Sequence, residues 1–293
     1  MARGRDWFLG LLLLAAAGVF VFVILSYFFG DTRDGLDLTS ENRLGLVEVR
    51  GIILESAPIV KQLEDYADNS SIKGIILRID SPGGGVAASQ EIYEAVKRVR
   101  NDGKFVLASM ASVAASGGYY IACGADTIMA NPGTTTGSIG VIAEMINTTE
   151  LLNKIGVRFE IIKSGKFKDS GTAFRPMTAE DRKYLQSFVD DAYQQFVEVV
   201  TEERQLPQQQ VLEHADGRVF TGKQALEHQL IDLLGTYQDA VDLAAAVVGI
   251  EGKPRIVKPT KRRVTMWDLF FGDLQEYVTR LQTLPTLRYQ MIL

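Results

Sequence analysis

Apolar positions along the chain follow two alternating rhythms. Short runs of Val, Ile and Leu give way to stretches in which apolar residues recur every three or four positions. The first rhythm predicts buried strands, and the second predicts helices that lay one face on them. Leu44–Leu54 has strand character on both sides of Gly51, and Ile72–Ile79, Phe105–Met110 and Asp126–Ala130 also read as strands. Ala57–Tyr66 and Val86–Val99 read as amphipathic helices, the second through Ile92, Ala95, Val96 and Val99. This is a β-α-β-α alternation, and its expected product is a parallel sheet in an α/β domain.

Farther along, Tyr119–Cys123 predicts a short helix and Asn131–Gly140 a loop dense in glycine and threonine. Val141–Met145 resumes apolar character, Leu151–Ile155 is helical, and Arg158–Lys163 predicts a strand. Thr178 opens the longest helix after the N-terminal region, with Asp181 three residues on in a close relative of the capping box. Its apolar stripe runs through Tyr184, Leu185, Phe188, Val189, Ala192, Phe196, Val197 and Val200, and Pro207 ends it. Shorter helices are expected at Gln208–Glu213, Gly222–His228 and Ala240–Val248, and Arg255–Val257 has strand character. From Thr265 the chain is amphipathic and aromatic and ends apolar at Met291-Ile292-Leu293. No repeat of fixed period is present.

The first thirty residues depart from this pattern. Trp7 to Gly30 holds no charged residue, a helix of about 36 Å at ~1.5 Å per residue, long enough to cross a bilayer. Arg3 and Arg5 precede it against one Asp6, and Asp31, Asp34 and Asp37 follow it against one Arg33. That asymmetry places the N-terminus in the cytoplasm and the rest of the chain across the membrane. A cleavable signal peptide is the competing reading, but the apolar run is long for one and Ser26–Gly30 offers no Ala-x-Ala-like site. The expected organisation is therefore a cytoplasmic tip and single-pass anchor at 1–30 and a tether at 31–43. The main domain follows at 44–250 and an extension at 251–293.

Composition narrows the function. A net charge of −5 gives no basic surface for nucleic acid. Cys123 is the single cysteine and sits in an apolar run, so it reads as a small buried hydrophobe. His214 and His228 are the two histidines, both in the helical last third. They read better as packing or surface residues than as members of a triad, and too few ligands are present for a metal site. No cofactor is expected, since Gly83-Gly84-Gly85 lacks the Gly-Lys-Ser/Thr ending of a phosphate loop.

The stretch with most chemical promise is Ala114-Ala115-Ser116-Gly117-Gly118-Tyr119-Tyr120-Ile121-Ala122, a strand-to-helix turn. Glycines there let a substrate backbone come close, and the first helical amides lack intrahelical partners. A hydroxyl beside such amides can attack a carbonyl while they receive the oxyanion. The plainer reading is a serine cap with two glycines chosen for close packing. The Gly83–Gly85 loop, also after a strand, offers further amides or a cradle for an extended peptide. With histidine disfavoured, the base for Ser116 would be a lysine kept neutral by burial. From a solution value of about 10.4, that takes a shift of roughly 3 units. Lys163, Lys166 and Lys168 are all candidates, and a carboxylate from Asp169 paired with Lys168 would work against it.

Four motifs in order bring these residues together: Asp80-Ser81-Pro82-Gly83-Gly84-Gly85, then Ala115–Ala122, then Gly137-Ser138-Ile139-Gly140-Val141, then Lys163–Asp169. With Asp216–Gly222 they resemble the signal peptide peptidase A family of membrane-bound serine proteases over roughly Leu44 to Gly249. The resemblance implies a Clp-protease/crotonase-like fold and a Ser-Lys dyad, with Ser116 as nucleophile and Lys168 as general base. It also implies an oxyanion hole from the Gly83 and Gly117 amides, and Ser138 as the residue that orients the lysine. Its single-copy members imply a homo-oligomeric ring, an octamer, in which serine and lysine of one site come from adjacent protomers. The implied substrates are signal peptides released in the membrane, and the implied location is the cell membrane, with the catalytic domain outside the cytoplasm.

Two rival readings remain. A crotonase-type acyl-CoA enzyme would use the same amide pair to hold a thioester enolate, but it would need a catalytic carboxylate and has no use for an anchor. A non-catalytic, membrane-tethered scaffold would treat Ser116 and Lys168 as packing residues.

Overall fold

The structure is a computed structural model, and it describes residues 18–19, 42–258 and 288–290. The predicted anchor, apart from Gly18 and Val19, nearly all of the tether, and most of the segment from Thr265 lie outside the described residues. Among the described residues no helix is long and apolar enough to cross a membrane.

The predicted alternation is present. β1 (Arg43–Arg50), α1 (Ala57–Asp68), β2 (Ile72–Ser81), β3 (Gly83–Gly85), α2 (Val86–Asn101) and β4 (Phe105–Ala115) follow one another. α3 (Gly117–Ala122), β5 (Thr127–Ala130) and β6 (Thr135–Gly137) come next, then α4 (Thr149–Lys154) and α5 (Ala179–Arg204). The remaining elements are α6 (Gln208–Leu212), β7 (Val219–Thr221), α7 (Gly222–Glu227), β8 (Leu233–Leu234), α8 (Tyr237–Val247), β9 (Arg255–Val257) and β10 (Arg288–Gln290).

The main sheet runs β7-β6-β4-β2-β1-β9. Its central pairs are parallel, with Leu46 opposite Ile76 and Ile75 opposite Val106. β4 forks the sheet. Its first half, Leu107–Met110, pairs with β5, and its last three residues, Val113–Ala115, pair with β6. Among the described residues the β6–β7 pair is the one antiparallel join in this sheet.

Both faces of the sheet are covered, which is why β1, β2 and β4 read as continuous apolar runs rather than alternating ones. On one face Val47, Val49, Ile75, Leu77 and Ile79 pack with Ile92, Tyr93 and Val96 of α2. On the other, Leu44, Leu46, Ile76 and Leu107 pack with Ala240 and Ala244 of α8. Tyr120 ties α3 into the larger cluster, edge-on to Tyr93 at 5.1 Å and to Phe196 at 5.0 Å. Truncating the fully buried Phe196 would cost about 3–5 kcal/mol.

Several elements differ from their sequence prediction. β4 runs on to Ala115 rather than stopping at Met110, because β6 offers a second partner within the loop predicted at 131–140. The glycine triplet is a short strand, not a loop. Its middle member bridges Ile53, and a Cβ on Gly84 would lie 2.1 Å from the Ile53 carbonyl oxygen. Arg158–Lys163 forms no strand and is exposed throughout. Its alternating pattern finds no neighbouring strand, without which extended backbone groups stay unpaired. Phe159 instead stacks on Phe174 at 3.9 Å. In α5 the capping box of Thr178 and Asp181 is present, but only Ala192, Phe196, Val197 and Val200 of the stripe are buried. Tyr184 and Phe188, in the first half, are exposed.

Candidate active site

Ser116 stands where β4 turns into α3. Its backbone is at φ 52° and ψ −116°, a conformation L-residues rarely adopt. Two hydrogen bonds hold it there. Its amide donates to the Gly137 carbonyl, and its carbonyl accepts from the Tyr120 amide, each at 2.8 Å. The residue is 1 % exposed, and its hydroxyl has no hydrogen-bond partner among the described residues. Buried hydroxyls are ordinarily paired, so this one is a marked exception. A serine serving only as a cap would bond an amide of its own helix, and Ser116 makes no such side-chain bond.

The surroundings are built from small residues and backbone. Gly117 begins α3, so its amide has no carbonyl one turn below to bond. Gly118 lies against β2, where a Cβ would sit 3.0 Å from the Ser81 carbonyl oxygen. The fully buried Ser81 ties this corner together. Its hydroxyl donates to the Gly51 carbonyl at 2.6 Å and accepts from the Gly83 amide at 3.1 Å. The Gly83 amide, expected free for an oxyanion, is thus bonded to the side chain two residues before it. Ser81 carries this role on geometry that only the fold reveals, since β1 and β2 must meet before Gly51 comes into reach.

Ser138 follows Gly137 on β6 and shares the unusual φ of 52°. It is 7 % exposed, and its amide donates to the Arg218 carbonyl at 2.8 Å. It borders a cleft of about 880 Å³ that Val141, Tyr193, Asp216 and Arg218 also line. On the far side of β6, Phe220 packs edge-on to His214 and His228, whose rings lie 4.0 Å apart. Both histidines are therefore packing residues. Burial, then the neighbouring His228, lowers the pKa of His214. Cys123 is buried and its thiol is pushed up to about 12, chiefly by burial. No group of three or more metal-ligating side chains forms among the described residues.

Lys168 is exposed rather than held inward, and it makes no hydrogen bond to Ser116 within this chain. It sits in a turn-rich loop in which its own amide donates to the Gly165 carbonyl at 3.2 Å. Asp169 does not pair with it. The Asp169 carboxylate is taken by Arg175, at 2.8 and 2.9 Å, and by Lys163. Of the three lysines weighed for the base, Lys163 bonds Asp169 and Lys166 pairs with Glu180 at 2.6 Å.

β3 has a further partner. Arg288–Gln290 lies antiparallel along it, with Tyr289 opposite Gly84. The edge beside the Ser116 turn therefore accepts extended backbone.

Comparison with known proteins points to a peptidase. The model of "Peptidase family S49" matches residues 98–251. A "Putative protease" of Synechocystis sp. is 44 % identical over 215 residues, covering 73 % of this chain and 77 % of that protein. A "Putative signal peptide peptidase SppA" of Enterococcus faecium is 40 % identical over 181 residues, 62 % of this chain and 53 % of that protein. "Protease 4" of Haemophilus influenzae is 33 % identical over 216 residues, 71 % of this chain. The match spans only 35 % of that longer protein.

Proposed function

This chain belongs to peptidase family S49 and is a serine peptidase, and from that premise we propose a membrane-anchored endopeptidase that degrades signal peptides with a Ser116–Lys168 dyad. The observation that carries the reading is the Ser116 hydroxyl, buried and unpartnered on a strained turn beside the Gly117 amide. A hydroxyl in that setting is costly to keep unless a reaction uses it.

In this reading Lys168 removes the Ser116 proton as the hydroxyl oxygen attacks the scissile carbonyl carbon. The Gly117 amide receives the oxyanion, joined by the Gly83 amide once it exchanges its bond to Ser81. The proton passes from Lys168 to the leaving amine as the peptide bond breaks. Water then adds to the acyl-enzyme by the same route, releasing the acid and restoring the serine. Ser138 orients the lysine amine. The peptide binds as an extended strand on the β3 edge, the mode that β10 exemplifies.

That Lys168 is exposed and Ser116 buried within one chain supports a dyad completed between neighbouring copies, and the family resemblance supplies the homo-oligomeric ring of eight. The exposed apolar residues Ile146, Phe159, Ile162 and Phe167, on the segment that bears Lys168, support a docking role for that arm. The apolar run at 7–30 would hold the ring in the cell membrane, N-terminus inside and catalytic domain outside. The test is complementation. Ser116→Ala and Lys168→Ala are each expected to be inactive on an unstructured peptide and to regain activity when co-assembled. Retained activity in either single variant would remove the dyad.

A further inference from the structure

We propose that Arg175 is a positioning residue for the reaction. Its guanidinium clamps Asp169 to Asp181, fixing the Lys168 loop on the first turn of α5 and keeping the adjacent carboxylate from pairing with the Lys168 amine. The proposal rests on the reading of Lys168 as the base.

The geometry is a double fork. Arg175 Nε and Nη2 donate to the two Asp169 oxygens at 2.8 and 2.9 Å. Its Nη1 and Nη2 donate to the two Asp181 oxygens at 2.5 and 3.2 Å. Only a planar guanidinium can present donors to two carboxylates in this way. Asp181 is further held by the Ser170 hydroxyl at 2.5 Å, by the Thr178 hydroxyl at 2.7 Å and by the Thr178 amide at 3.0 Å. Both carboxylates are nearly buried, with 9 % and 3 % of their side chains exposed. Thus Ser170 and Arg175 tie a loop without regular structure to the N-terminus of a long helix, and Asp169, bonded in turn by Lys163, is held there through Arg175.

Counting charges shows what the clamp leaves over. Between residues 163 and 181 the cations are Lys163, Lys166, Lys168 and Arg175, and the anions are Asp169, Glu180 and Asp181. Asp169 is held by Arg175 and Lys163, Asp181 by Arg175, and Glu180 by Lys166. Among the described residues Lys168 is the one cation of this stretch without an ion pair. A base must lose its proton, and a paired carboxylate would hold it on. Asp169 is next in sequence and is the carboxylate best placed to do so, yet it is turned away.

The experiment measures peptide hydrolysis by the full-length protein as a function of pH, with melting temperature and oligomer size as controls. Arg175→Ala is expected to lower kcat about ten-fold or more with KM little changed, and to raise the midpoint of the pH–rate profile by about one unit. Adding Asp169→Asn to Arg175→Ala should return the midpoint to the wild-type value while kcat stays low. Should Arg175→Ala fail to fold, Arg175→Lys decides: an ammonium cannot fork to both carboxylates, so kcat should fall and the midpoint rise in the same directions. A wild-type midpoint in Arg175→Ala, no return in the double variant, or wild-type kcat and midpoint in Arg175→Lys would overturn the clamp. Activity surviving in Lys168→Met would instead remove the base itself, a separate outcome.

Discussion

The amide of Ser116 donates to the carbonyl of Gly137 at 2.8 Å, so the turn bearing the proposed nucleophile is bonded directly to the residue before Ser138. The two serines share a φ of 52°. Each costs on the order of 1–2 kcal/mol relative to an ordinary conformation. Such strain persists only where the surrounding structure enforces it, and here the β4–β6 pairing does so.

Substitutions at Ser116 should separate strain from chemistry. Ser116→Ala is expected to reduce hydrolysis at least about a thousand-fold and to raise the melting temperature slightly, since the buried hydroxyl it removes bonds nothing among the described residues. Ser116→Gly should be equally inactive but more stable than Ser116→Ala by about 1 kcal/mol, because glycine tolerates positive φ. Thermal melts of both variants check this.

Gly84→Ala should be far more disruptive than its size suggests. The new Cβ would meet the Ile53 carbonyl oxygen at 2.1 Å, and that atom is backbone. β3 would have to leave Ile53, at an expected cost of several kcal/mol, and peptide binding would be lost with it. A denaturant melt together with KM for a peptide substrate would measure both effects.

Acid should leave the α5 cap intact longer than is usual for a carboxylate-held structure. Hydrogen bonds from Arg175, then from Ser170 and Thr178, hold the Asp181 carboxyl well below the usual carboxylate range. Its stabilisation is therefore complete above the unfolded value of about 4 and is lost progressively as pH falls from there through the lower folded value. The difference in melting temperature between wild type and Asp181→Asn should be constant from neutrality to about pH 4 and shrink below it. A difference that shrinks already between pH 7 and 5 would contradict this.

The β10–β3 pairing makes the segment at 288–290 a competitor for the edge proposed to bind substrate. Deleting residues 288–293 should raise hydrolysis of an unstructured peptide at least about two-fold, through KM. Unchanged KM would mean that the pairing does not compete with substrate.

Much of this was legible in the chain. Ile72–Ile79 and Val86–Val99 were readable because both faces of the sheet are covered and α2 buries one continuous stripe. Thr178 and Asp181 announced their own helix start. Arg158–Lys163 misled, since alternation records what a strand could pair with and not whether a partner is present. Ser116 could be picked out by its flanking glycines, whereas its unsatisfied hydroxyl and φ depend on β6, which lay hidden in a threonine-rich loop. Ser81 and Arg175 were invisible as participants. Their partners, Gly51 for one and two separate aspartates for the other, come together only when the loops close.

The fork of β4 divides labour along a single strand. Residues 107–110 belong to the limb that continues through β5 to Leu233–Leu234, while residues 113–115 belong to the limb that leads to Ser116. The limbs also meet beyond that strand, since the Tyr119 hydroxyl, three residues past Ser116, donates to the Leu230 carbonyl at 2.8 Å, three residues before β8. A change in the outer limb can thus reach the reactive corner by two routes, the β4 backbone and that hydroxyl.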